Sequence, residues 1–104
     1  MNCGLKKQDV EYILSALRSF SVIEQATIFG SRAMGNYKPG SDVDIAVKGK
    51  NITDTTVSRL SSLLNEELPL PYFFDVVHYE SIENKELKRH IDVFGLIFEQ
   101  IEFE

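Results

Sequence analysis

Twenty residues, Ile28 to Val47 (IFGSRAMGNYKPGSDVDIAV), constrain this chain more than any other stretch. A short apolar run, Ala26 to Phe29, halts at Gly30-Ser31. A loop punctuated by Gly, Asn and Pro follows, and a second apolar run then carries Asp42 and Asp44 two residues apart. β-Branched and aromatic residues bounded by such breakers predict two strands. Side chains at i and i+2 of a strand share a face, so Asp42 and Asp44 are predicted to project side by side while Val43, Ile45 and Val47 enter a core. Two adjacent carboxylates are costly without a cation between them. A hard divalent ion such as Mg²⁺ takes oxygen ligands and suits substrate phosphates.

Gly30-Ser31 supplies the complementary half. Glycine lets the backbone approach a ligand closely, and a strand-to-helix turn offers N–H groups and a positive helix end to an anion. An anion-binding turn beside paired carboxylates is a minimal kit for metal-assisted chemistry on a nucleoside triphosphate. A P-loop is the rival phosphate motif, and Gly30-x4-Gly35 matches its first half. Asn36-Tyr37 then stands where Lys-Ser/Thr is required, which excludes it.

Gly30-Ser31, ten further residues, then Asp42-Val43-Asp44-Ile45 resembles the signature of the DNA polymerase β-type nucleotidyltransferase superfamily. The fuller string GSRAMGNYKPGSDVDIAV is similar to the minimal nucleotidyltransferases, the MNT proteins of prokaryotic MNT–HEPN pairs. The order of elements fits that family from about Val10 onward. Met34 departs from it, standing where many members carry Arg, which removes one candidate phosphate contact. The resemblance implies an α+β fold, a small mixed β-sheet with helices packed on one face.

A chain of 104 residues is expected to form one domain, 1–104, burying roughly 60% of its unfolded surface. Its 43% hydrophobic and 26% charged content is ordinary for a globular protein. A net charge of −5 argues against a surface built to coat nucleic acid, which relies on Lys and Arg. Cys3 is the single cysteine and has no partner for an internal disulfide; near a terminus expected to fray, it fits a reducing cytoplasm. No apolar run approaches membrane-spanning length, and no signal-peptide h-region stands at the start. The expected location is cytoplasmic.

Along the chain, Val10, Ile13, Leu14 and Leu17 predict a helix over Lys6 to about Arg18 with one buried stripe. Val22 and Ile23 are candidates to begin the first strand, and Arg32 to Met34 for a helical turn before Gly35. A strand is expected over Asp42 to Lys48. Thr53, as N-cap, opens a second helix that runs to Leu68, where Pro69 and Pro71 stop it. Tyr72 to His78 (YFFDVVH) predicts a strand. Ser81 is expected to cap a third helix with Leu87 and Ile91 facing inward and Gly95 at its C′ position. Leu96 to Phe103 predicts a final strand or extended tail.

Asp75 lies inside the YFFDVVH run, where a buried acid is expensive. It is either an edge-strand residue facing water or a third carboxylate beside Asp42 and Asp44. The resemblance favours the second, since in that family an acid from a later strand joins the pair and can act as general base. Arg32 is a candidate phosphate contact, and Lys38, in the loop, a candidate to close over a triphosphate. His78 and His90 lack metal-ligand spacing, and are assigned to strand packing and to a helix face.

These parts imply nucleotidyl transfer. Asp42 and Asp44 would hold two Mg²⁺ ions, Gly30 and Ser31 would hold the triphosphate tail of ATP, and Asp75 would complete the metal site. The chain leaves no room for an acceptor-binding helical domain, so another chain is expected to supply half of the cleft. The resemblance names a HEPN protein, a helical RNase toxin encoded nearby, and implies an antitoxin that transfers AMP to a tyrosine of the toxin. A binding module that neutralises its partner by complex formation alone, and a nucleotidyltransferase acting on an aminoglycoside or RNA, are the alternatives. An open sheet edge further predicts a dimer or hetero-oligomer.

Overall fold

The computed structural model describes residues 3–98. Helix α1 (Lys7–Arg18) is followed by strand β1 (Gln25–Phe29), the short helix α2 (Ser31–Met34), strand β2 (Val43–Lys48) and helix α3 (Asp54–Ser62). The chain continues into a π-helical turn (Leu63–Glu67), strand β3 (Phe74–His78), a 3₁₀ turn (Tyr79–Ser81), helix α4 (Lys85–Phe94) and strand β4 (Leu96–Ile97). The sheet order is β3-β2-β1-β4. β1 pairs antiparallel with both β2 and β4, and β2 pairs parallel with β3, so the sheet is mixed as expected.

Strand alternation divides the core. On one face Ala26 and Ile28 of β1 and Val43, Ile45 and Val47 of β2 pack with Val10, Ile13 and Leu17 of α1 and with Leu60 and Leu64. On the other, Phe29 and Ala46 form a smaller cluster with Ile91 of α4, flanked by Val77 and Leu87. Thus α1 and α3 cover the main face, and α4 lies across part of the face that carries the carboxylates. Its Leu87–Ile91 stripe finds apolar partners only there.

Several ends differ from expectation. Val22 and Ile23 pack against the core without joining β1. Thr53 does cap α3, in a reciprocal box with Thr56, each backbone N–H donating to the other's Oγ1 at 3.3 Å. The α-helix gives way to the π turn at Leu63, five residues before Leu68. Ser81 is not a cap. It ends the 3₁₀ turn with Oγ 2.7 Å from His78 Nδ1, and Asn84 caps α4 by accepting from the N–H groups of Glu86 and Leu87. Gly95 is extended (φ −62°) rather than left-handed, and is needed for closeness: a Cβ there would lie 2.4 Å from Thr27 Cγ2 on β1. Leu96 and Ile97 make the last described strand; the rest of the expected final strand, from residue 99, lies outside the described residues.

The N-terminal segment is not frayed at Cys3. The thiol is fully buried in the main core, and burial pushes its pKa up. Among the described residues no helix is long and apolar enough to cross a membrane.

Candidate active site

β1 ends at Gly30, whose backbone (φ 74°, ψ −151°) lies in a region open essentially only to glycine. The same residue faces β2: a Cβ here would sit 2.3 Å from Asp44 Oδ2. Conformation therefore calls for glycine where the turn meets the carboxylate, and any side chain there would push the Asp44 carboxylate aside. Ser31 begins α2, and its hydroxyl has no hydrogen-bond partner among the described residues.

Asp44 is the centre of the arrangement. Across β2 it is in register with Phe29 of β1 on one side and Asp75 of β3 on the other. Paired residues of adjacent strands share a face, so the sheet sets the two carboxylates next to each other. Asp42, just before β2, falls on the same face by alternation. Asp44 is half-buried; Asp42 and Asp75 are exposed. Burial raises the Asp44 pKa, and the charges of Asp75 and Asp42 raise it further, against a smaller lowering by His90. The three acids therefore share one face of the sheet, with Asp75 paired to Asp44 and the charges of both Asp75 and Asp42 felt at Asp44.

Among the described residues no three His, Cys, Asp or Glu side chains converge as a ready-made metal cage. Mg²⁺ does not require one, since it is commonly held by one or two carboxylates with the remaining positions taken by water and substrate phosphate. The donor set is all oxygen, and mutual repulsion at Asp44 is relieved by a cation. The residues present fit that ion.

Two expected contacts are placed otherwise. Arg32 is engaged by the loop and the N-terminal segment. It is buried, with Nε and Nη2 donating to the Ser41 carbonyl at 3.2 and 2.9 Å and Nη1 donating to the Cys3 carbonyl at 3.0 Å. Its guanidinium also lies 4.9 Å from the Tyr72 ring centroid and 5.2 Å from that of Tyr37. Enclosed by these carbonyls and rings, Arg32 pins the loop to the N-terminal segment. The Gly30 N–H is likewise engaged, donating to His90 Nε2 at 3.0 Å. Lys38 stays on the exposed loop, where its backbone N–H donates to Ser41 Oγ at 2.7 Å.

His90 is the site residue that the sequence reading passed over. Its ring packs edge-on against Phe29 and tilted against Phe94 while Nε2 holds the Gly30 turn. Accepting that N–H places the imidazole proton on Nδ1. The signal was available: His90 is three residues after Leu87 and adjacent to Ile91, on the face already read as inward.

The sequence profile of the family described as polymerase beta, nucleotidyltransferase matches residues 11–101. This chain belongs to the polymerase β nucleotidyltransferase family. Solved structures agree in fold. A chain of a toxin–antitoxin complex with AMP-PNP superposes with a TM-score of 0.72 at 23% identity, covering 86% of this chain and 71% of that one. A tri-AMPylated Shewanella oneidensis HEPN toxin in complex with MNT antitoxin gives a TM-score of 0.69 at 20% identity, covering 90% and 71%. A nucleotidyltransferase-like protein of Sulfolobus solfataricus gives 0.54 at 23% identity, covering 88% and 76%. A search of curated proteins finds no significant match. In this nucleotidyltransferase fold the carboxylates and the Gly30-Ser31 turn lie at one end of the β1–β2 pair.

Proposed function

We propose that the chain moves AMP from ATP onto a hydroxyl group of a helical HEPN partner, and so acts as an antitoxin. The observation that carries this reading is the in-register pair Asp44–Asp75 with Gly30 set directly against Asp44. That the fold's neighbours include an AMPylated HEPN toxin with its MNT antitoxin, and a toxin–antitoxin complex with AMP-PNP, supports the choice of nucleotide and of partner.

Asp42, Asp44 and Asp75 would hold Mg²⁺, two ions in all, which when bound supplies charge neutralisation for the triphosphate. The Ser31 hydroxyl and the turn at Gly30 orient the phosphate tail, and His90 keeps that turn in place. The Asp75 carboxylate accepts the proton of the incoming hydroxyl. The acceptor oxygen then bonds to the α-phosphorus, the α–β bridging bond breaks, and pyrophosphate leaves. Lys38, on its exposed loop, closes over the triphosphate. The buried Cys3 thiol accords with work in a reducing cytoplasm.

Purified protein incubated with Mg²⁺, ATP and the co-produced HEPN partner tests this reading by intact-mass spectrometry. AMP adducts are expected on the partner and absent with Asp44→Asn. A stable complex without adducts, whichever of the four nucleotides is supplied, would transfer the function to binding alone.

A further inference from the structure

β3 is an edge strand, and its outer side is only partly finished. In the parallel ladder Val43 N–H donates to the Phe73 carbonyl at 2.9 Å while Val43 is in register with Phe74. Phe73 and Asp75 therefore turn their backbone groups toward β2, and Phe74, Val76 and His78 turn theirs outward. Asn65, from the π-helical turn, takes the first outward rung: its Oδ1 accepts from Phe74 N–H at 2.7 Å and its Nδ2 donates to the Phe74 carbonyl at 3.0 Å. A side-chain amide thus imitates one residue of a neighbouring strand. The next rung, at Val76, has no hydrogen-bond partner among the described residues.

A groove of about 790 Å³ runs along this edge, between the α3 side (Val57, Ser61) and the segment that leads into α4 (Ile82, Leu87). Phe73 stands 60% exposed on its wall, and Asp75 lines it too. The groove is therefore continuous with the carboxylate site. Its charged lining is acidic, with Asp54, Asp75 and Glu83 and no Lys or Arg.

We propose that this edge receives the acceptor as an extended segment. The segment pairs with Val76, carries Lys or Arg opposite the acidic walls, and delivers its hydroxyl at the Asp75 end. This rests on the transferase reading for the role of Asp75, but the docking itself is independent of chemistry. Strand addition fits because the backbone of Val76 offers a donor and an acceptor at the spacing Asn65 already uses. An acidic groove leading to an acid that takes the acceptor's proton also selects against acidic segments.

The test uses the full chain, Mg²⁺, ATP and two synthetic octapeptides with one central Tyr, flanked by Lys in one and by Glu in the other. Amide exchange followed by NMR is expected to slow at Val76 and His78 with the Lys peptide and not with the Glu peptide. Val76→Pro removes the outward N–H at an edge position that tolerates proline. It should weaken Lys-peptide binding about tenfold, while ATP binding stays unchanged. Protection without AMP transfer would overturn the transferase reading and leave the docking edge standing. Equal protection by both peptides, none by either, or a Val76→Pro variant that folds and binds the Lys peptide as before, would overturn the docking edge. So would protection at Val76 that rises with protein concentration alone, which would give the edge to a second copy.

Discussion

Gly30 shows how much one residue can decide. Its positive φ excludes side chains at about 1–3 kcal/mol, and the space where a Cβ would go is filled by Asp44 Oδ2. Gly30→Ala should therefore reduce kcat/KM for transfer about a hundredfold by displacing the central carboxylate, with a loss of stability seen in urea melts. In an Asp44→Ala background the same substitution should cost only its backbone part. Equal stability losses in both backgrounds would remove the steric half of this account. Gly30 was legible in the sequence because breakers between apolar runs are rare signals. His90 was overlooked because a lone histidine carries no spacing signature, although its position relative to Leu87 and Ile91 already set its direction.

At the scale of elements, the loop between α2 and β2 depends on a residue expected elsewhere. Arg32 joins the Ser41 carbonyl, the Cys3 carbonyl and two tyrosine rings, so helix, loop and N-terminal segment share one cation. A lysine keeps the charge but lacks the planar fork, and would leave a buried carbonyl unpaired. Arg32→Lys is expected to cost about 2 kcal/mol, on the order of 10 °C in Tm by calorimetry. ATP affinity measured well below that Tm should change less than about twofold, as for a residue that acts through folding. A large loss of affinity in the folded variant would restore Arg32 as a phosphate contact. The sequence could not separate the two roles, because an Arg two residues after a glycine turn suits either one. Likewise Asn65 carried no signal: only the π turn aims it at the backbone of Phe74.

Taken whole, the molecule concentrates like charge on one face of its sheet. Burial and the charges of Asp75 and Asp42 raise the Asp44 pKa above its value in the unfolded chain. The folded state then binds more protons than the unfolded one between those two values, so stability falls as pH rises through that window and stays reduced above it. Asp44→Asn, free of that cost, should melt a few degrees higher than the natural protein at pH 7 without divalent cations. The difference should shrink as pH falls through the Asp44 window. Mg²⁺ with a non-hydrolysable ATP analogue should stabilise the natural protein and leave the variant nearly unmoved. A variant less stable than the natural protein at pH 7 in metal-free buffer would show that Asp44 is held by favourable contacts rather than strained by its neighbours.

The sequence by itself determined most of the elements and the placing of the glycine turn and the acidic pair along them. Strand alternation, glycine breakers and the Asp42–Asp44 spacing are local, and local sterics settle them within a few residues. The tertiary structure decided which distant groups meet. The parallel register of β3 set Asp75 beside Asp44, the packing of α4 brought His90 to Gly30, and Arg32 was tied to the Cys3 carbonyl. Those outcomes depend on pairings across 29 to 60 residues, set by which apolar faces bury against each other, and a local pattern can give a side chain's direction but not the distant partner it meets.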